Sequence, residues 1–221
     1  MTKRILLFAM VPACIAALLA LDPPAPRSAA ARSALAPAVK TGAPSEGTCQ
    51  DCHDGNLDDG VGSVSISVAS LAAEGYTPGQ VYDVTVTQSR SGSACWGFSL
   101  TALRNTGNTM AGALTAGTDN LTATRTATVN ASSRTYVSQT TSSGADGTFS
   151  GAAGPANWTF KWTAPAAGAG AVTLYVCGLA ADNDGGTSTG DHSYTGQKVI
   201  QELIPTATRA TTWGAIKNTY R

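Results

Sequence analysis

Charge is scarce in this chain. Asp, Glu, Lys and Arg make up 13% of its 221 residues, and the formal net charge is zero. From Lys40 onward ten Lys and Arg stand against thirteen Asp and Glu, a balance that argues against nucleic-acid binding, which calls for a basic patch or stripe. Strong helix formers such as Glu, Lys and Gln are sparse, so long amphipathic helices are not expected. Histidine occurs only twice, as His53 and His192, and Met110 is the one methionine beyond the N-terminal apolar run. Two histidines leave little material for a Ser-His-Asp arrangement. What dominates instead is Gly, Ala, Ser and Thr, a composition suited to extended strands joined by small-residue turns.

The N-terminus reads as an export signal. Lys3 and Arg4 form a basic start, Ile5 to Leu21 an apolar run, and Asp22-Pro23-Pro24 its end, with small residues around Ser28-Ala29-Ala30 for cleavage. The run is about the length of the shortest membrane-spanning helix, so an uncleaved anchor is the alternative. Val11-Pro12-Ala13-Cys14 faintly resembles a lipoprotein processing site, and Cys14 is expected to leave with the signal. Residues 1–30 are thus assigned to a signal peptide and 31–40 to an Ala/Pro-rich flexible linker. Export to the periplasm, cell surface or medium would place the other four cysteines in an oxidising compartment.

Residues 41–62 carry the sharpest motif, Cys49-Gln50-Asp51-Cys52-His53. On a helical turn, positions i, i+3 and i+4 share a face. Two thiols so placed can each add to a vinyl group of haem while the adjacent imidazole sits under the iron, which makes this spacing a c-type haem attachment signal. Cys49, Cys52 and His53 are the expected haem-binding residues, with His53 on the iron. The alternatives are a Cys49–Cys52 disulfide or redox dithiol, or a zinc site. Zinc would need two further ligands, and Cys95 and Cys177 lack the paired spacing of such sites. For the sixth iron position the candidates are His192, in a loop, and Met110. A five-coordinate iron is the remaining option, leaving a face open to a peroxide or a gas.

From Ser63 the apolar period becomes two. Val64, Ile66 and Val68, then Tyr82, Val84 and Val86, then Trp96, Phe98, Leu100 and Ala102, mark half-buried strands. Trp158, Phe160 and Trp162 follow, then Val172, Leu174 and Val176, and Val199 to Ile204 as a last strand. Weaker Thr-rich candidates lie near 122–129 and 134–140. Seven to nine short strands between Gly, Pro, Asn and Asp turns predict an all-β, antiparallel β-sandwich over 63–204, cored by the tryptophans and Phe98, with 205–221 as a tail. Cys95 and Cys177 fall on the parity opposite their strands' apolar sets, and a structural disulfide between them is expected, with two unpaired thiols as the alternative. Asp54, Asn56 and Asp58, and Asp182, Asn183, Asp184 and Asp191, raise a calcium possibility. Neither run completes an EF-hand, and such residues usually cap their own turns.

Several segments together carry a family resemblance: Thr41 to Thr48, Tyr76-Thr77-Pro78-Gly79-Gln80-Val81-Tyr82, Trp96-Gly97-Phe98-Ser99-Leu100-Thr101-Ala102, Phe160 to Pro165, and Gly190-Asp191-His192-Ser193-Tyr194-Thr195. In this order, over residues 41–204, the chain resembles exported bacterial choice-of-anchor V domain proteins, whose body is similar to the reeler (reelin N-terminal) domain. The resemblance implies an Ig-like β-sandwich, an exported location and a haem-attachment motif at the sandwich's N-terminal edge. The expected function is that of an exported monohaem c-type cytochrome-like protein, an electron carrier more than a substrate-transforming enzyme, working with a redox partner protein. The alternative is a cell-surface or extracellular binding or adhesion module in which Cys49 and Cys52 are structural.

Overall fold

The computed structural model describes residues 34–203 apart from Glu74 and Ser188. The proposed signal peptide, Cys14, Ile204 and the tail lie outside the described residues. Nine strands form: β1 (Ser63–Val68), β2 (Val81–Ser89), β3 (Cys95–Arg104), β4 (Ala113–Thr115), β5 (Thr122–Val129), β6 (Ser132–Gln139), β7 (Ala156–Thr163), β8 (Val172–Ala181) and β9 (His192–Ile200). They build a four-stranded sheet in the order β1-β2-β7-β4 and a five-stranded sheet in the order β5-β6-β3-β8-β9. All strand pairings are antiparallel. The expected all-β antiparallel sandwich is therefore the architecture.

Strict alternation explains the core. Trp96, Phe98, Leu100 and Ala102 of β3 face Trp158, Phe160 and Trp162 of β7, and all are buried. Phe98 packs between Trp158 and Phe160, with ring centroids 4.7 Å and 5.9 Å away. Each tryptophan also needs an acceptor for its indole N–H. Trp96, Trp158 and Trp162 donate to the carbonyls of Ala152, Gly147 and Ala111 at 2.9, 2.7 and 2.9 Å. The connecting loops are thereby tied to the core.

Two sequence expectations are corrected. The last strand begins at His192 and ends at Ile200, instead of running from Val199 to Ile204. It pairs with β8 from Ala180↔His192 to Val172↔Ile200. Its residues Thr195, Gln197 and Lys198 carry no apolar signal, because β9 is an edge strand whose affinity comes from backbone pairing. The second correction concerns the supposed flexible linker at 31–40. Its described part is docked: Ala34 O accepts from Thr141 N and Thr140 Oγ1, and Leu35 bridges Thr140.

The outer face of the five-stranded sheet is largely covered over β6, β3 and β8, while Gln197 and Val199 of β9 stay exposed. Residues 34–62 run across it as an irregular strap. Leu57 forms a parallel bridge with Ser193, and the Asp58 carboxylate accepts from Thr195 N and Oγ1 at 2.8 and 2.7 Å. This cover is why the outward residues Ser99, Thr101, Cys177 and Ser193 are as buried as the core.

Candidate functional site

Cys49 to Asp51 form a single 3-10 turn, with Cys52 N and His53 N both donating to Cys49 O at 3.2 Å. The turn carries the two cysteines and the histidine in one short segment. Beneath it the sheet opens. β3 and β6 pair only over Ser99↔Ser138 and Leu100↔Val137, and they diverge towards Cys95. Gln139 fills part of the gap, its side-chain oxygen accepting from Phe98 N at 2.8 Å, and Gly97 adds no side chain of its own. A Cβ at Gly97 would press on the Gln139 amide at 3.1 Å. The result is a cavity of about 190 Å³, mostly apolar, between strap and sheet. Cys49, Cys52 and His53 line one wall, Cys95, Leu179 and Ala181 the opposite one, and the loop Asn183–Thr187 the rim.

His53 is anchored from outside the motif. Its Nδ1 lies 2.6 Å from Oδ2 of Asp191, a residue 2% exposed. A carboxylate only accepts, so in the neutral imidazole the proton sits on Nδ1 and Nε2 is the lone-pair nitrogen. Cys49 is held differently. Its backbone N–H donates to Cys177 Sγ at 3.2 Å. The Cys177 thiol beside it, and then burial, hold the Cys49 pKa well above the usual thiol range. Cys52 is exposed. The Ser99 hydroxyl, on the cavity lining, is buried with no hydrogen-bond partner.

Neither candidate for a sixth ligand joins this site. His192 sits one position after Asp191 on β9, and alternation sends the two side chains to opposite faces of the sheet. Asp191 points to the strap and the cavity. His192 lies instead among Arg90 and Asp59, with Nε2 2.9 Å from Arg90 Nη2 and Nδ1 3.0 Å from Asp59 Oδ2. The same cluster binds Tyr194, whose hydroxyl donates to Asp59 at 2.7 Å. Met110 bridges Leu103 near the far end of β3, where its sulfur accepts from Thr135 N at 3.4 Å. Four residues separate Leu103 from Ser99 on the cavity lining, roughly 13 Å along the strand.

The expected Cys95–Cys177 disulfide does not form, and the reason is register. Both cysteines do lie on the outer face of adjacent strands, but Cys177 stands opposite Ser99 and Cys95 opposite Ala181. The four-residue offset amounts to roughly 13 Å along the strands, beyond the limit of about 7 Å between Cα atoms for a disulfide. None of the cysteines Cys49, Cys52 and Cys177 is in a disulfide.

The acidic runs serve backbone. Asp58 holds Thr195, Asp182 Oδ1 accepts from Asp184 N, and Asp184 Oδ1 accepts from Gly186 N. Among the described residues no group of three or more His, Cys, Asp or Glu side chains is arranged to hold a metal ion.

A second buried polar group escaped sequence reasoning. Glu46 and Arg134 form an ion pair with side chains 0% and 2% exposed. Tyr136 donates to the same carboxylate at 2.8 Å, and Arg134 also donates to the carbonyls of Pro44 and Asn108. Arg134 and Tyr136 share the outward parity of β6, so the clamp fastens the strap a few residues before the cysteine turn.

No family model matches the chain, and no curated protein does. Among solved structures it is similar to the human F-spondin reeler domain, at 20% identity and a TM-score of 0.42, over 67% of this chain and 95% of that one. A second structure of the F-spondin Reelin-N domain matches at 20% identity and TM-score 0.44, over 68% and 93%. A cohesin module from a family 33 glycoside hydrolase of Clostridium perfringens matches at 11% identity and TM-score 0.40, over 64% and 96%. These are likenesses of fold, and the sandwich assignment rests on the chain's own two sheets.

Proposed function

We propose that the strap carries one covalently attached haem at Cys49, Cys52 and His53, and that the protein is an exported one-electron carrier on a reeler-like sandwich. The observation that carries this reading is the His53–Asp191 contact at 2.6 Å. Histidines that ligate a metal almost always give their other N–H to a carboxylate, carbonyl or water, which fixes the ring and raises its basicity. An imidazole in a motif already spaced for haem is here oriented from 138 positions away, with Nε2 left as the donor atom.

The donor set fits the group. Two thiols and one imidazole share a turn beside a mostly apolar cavity that also contains an unpartnered hydroxyl, Ser99 Oγ. At about 190 Å³ the space is small beside ordinary ligand cavities of roughly 300–1,000 Å³. A porphyrin held there would keep an edge in solvent. Bound haem supplies reversible one-electron exchange, and an exposed edge suits a small, transient contact with a redox partner protein. Within the chain, Cys52 already faces out. Cys49 would have to leave Cys177 to form its thioether. Asp191 would hold the His53 ring. The resemblance to choice-of-anchor V proteins, carried by the segments from Thr41 to Thr195, agrees with this reading and with an exported location.

A pyridine haemochrome spectrum on chain produced with the haem-attachment machinery tests the proposal. Haem retained under denaturing conditions is the expected result, and its loss on Cys52→Ser or Cys49→Ser would locate it. A chain without covalent haem would end the cytochrome reading and leave the sandwich as a binding module.

A further inference from the structure

The two most intimately placed cysteines are not the pair in the motif. Cys177 lies in the middle of β8, 0% exposed, on the face that the strap covers. Cys49 comes down onto it from the strap, its N–H donating to the Cys177 sulfur at 3.2 Å. Cys52 stands exposed three residues further on, and Cys95 is displaced by four positions of strand register. The strap thus brings together two sulfurs 128 residues apart that strand pairing alone would leave separate.

We propose that Cys49 and Cys177 are a dithiol–disulfide pair, giving the strap a second covalent state in which it is bonded directly to the sheet. The oxidant is a disulfide, either of a thiol oxidoreductase or of a small thiol. The exposed Cys52 thiolate attacks that disulfide, forming a mixed disulfide and releasing one thiol. Cys49 then displaces the second thiol to give Cys49–Cys52. Finally Cys177 attacks the Cys49 sulfur, forming Cys49–Cys177 and returning Cys52 as a free thiol. Two electrons and two protons pass from Cys49 and Cys177 to the donor disulfide, which leaves as two thiols. Cys49 is packed against Cys177 whereas Cys52 is exposed, so direct oxidation at Cys49 is slow and Cys52 serves as the entry point. Once formed, the bond lies under the strap, shielded from reductants.

The pair exists whether or not haem attaches. Where the haem proposal also holds, one sulfur has two exclusive fates, because Cys49 cannot form a thioether while bonded to Cys177. The oxidised strap would then refuse haem, and that consequence rests on the haem reading.

The test uses the full chain made without the haem-attachment machinery, reduced, and then equilibrated with oxidised glutathione. Acid quenching, alkylation and non-reducing peptide mapping read the product. The expected map has Cys49 linked to Cys177 and Cys52 alkylated. A map dominated at equilibrium by Cys49–Cys52, by Cys95–Cys177 or by no cross-link overturns the proposal. Cys52→Ser is expected to slow formation of the cross-link at least tenfold without changing the end point. An unchanged rate would overturn the entry route. Cys177→Ser, checked for native near-UV circular dichroism, is expected to stop at Cys49–Cys52. Failure of the haem reading registers separately, as reduced wild-type chain that retains no covalent haem, and leaves the peptide map unaffected.

Discussion

The strap meets the same sheet at two places only a few residues apart, and it meets them in opposite ways. At Glu46 a carboxylate, a guanidinium and a phenol fill the space, with both charged side chains almost wholly buried. At Cys49 to His53 the strap stands off the sheet over a cavity with cysteines on both walls. A buried ion pair contributes little net stability against an apolar substitute, yet it is costly to break and strict in geometry. The clamp therefore reads as a device for register. It fixes where the strap crosses the sheet, so that the cysteine turn can hang over open space without sliding.

The largest expected effect breaks the clamp. Arg134→Ala leaves the Glu46 carboxylate buried and unpaired, and should cost about 3–5 kcal/mol in urea unfolding. The double substitution Glu46→Leu with Arg134→Met should recover much of that loss, because both desolvation penalties vanish together. A single-substitution cost under about 1 kcal/mol would show that the strap is held elsewhere.

Next comes the open end. Asp191→Asn removes the carboxylate from His53 while keeping the shape of the side chain. Loss of such an outer partner typically weakens a metal site by about 10- to 100-fold. If the ferric state suffers tenfold more than the ferrous one, the reduction potential of haem-loaded protein rises by about 59 mV. Protein-film voltammetry measures this. An unchanged potential would mean that His53 and Asp191 are merely neighbours.

How much of this could be read beforehand follows from the same contrast. The core face was legible, because Trp96-Phe98-Leu100 and Trp158-Phe160-Trp162 repeat at the strand period and burial rewards that repeat directly. The outer face was not. Its cover has no period, and the residues beneath it, Ser99, Thr101 and Ser193, look like solvent-facing positions. Parity placed Cys95 and Cys177 on one face correctly, but register depends on turn lengths and bulges that no spacing reveals. Asp191 was visible as one more acidic residue in a run and as part of the segment from Gly190 to Thr195. Nothing in a local window ties it to a histidine 138 positions earlier. Arg134 had a faint signal: an arginine on the same parity as Tyr136, in a strand otherwise built of small and polar residues.

A smaller effect appears with pH beside the cavity, where Asp59, Arg90, His192 and Tyr194 meet. The hydrogen bond from Tyr194, then that from Val61 N, and the nearby Arg90 hold Asp59 below the usual carboxylate value of 3.8. Its contribution is present above that value and is lost as pH falls through the lower folded-state pKa. Tyr194 is pushed up to about 12 by burial and by its bond to Asp59. Its contribution is intact below the ordinary value of 10 and declines as pH rises from there to about 12. Tyr194→Phe should flatten the alkaline limb of a stability–pH curve and weaken the acid dependence as well. A variant curve parallel to wild type at both limbs would show that the cluster does not couple to folding.

The smallest expected effect is the most discriminating for function. In haem-loaded protein, Met110→Ala and His192→Ala should each leave the ferric spin state unchanged, as read by electron paramagnetic resonance. Met110 sits against Leu103, roughly 13 Å along β3 from Ser99 on the cavity lining. His192 is excluded more subtly, by a single step in a strand. Asp191 and His192 are adjacent, yet alternation gives the first to the cavity and the second to Arg90 and Asp59. Turning His192 into the cavity would require a one-residue slip of β9, and every side chain from Ser193 to Ile200 would exchange faces with it. That would carry Tyr194 out of the core, where it is 2% exposed, and break the Asp58 bonds to Thr195. A change of spin state in His192→Ala would therefore mean more than a different ligand. It would mean that the strap and the edge strand adopt another register when haem is bound.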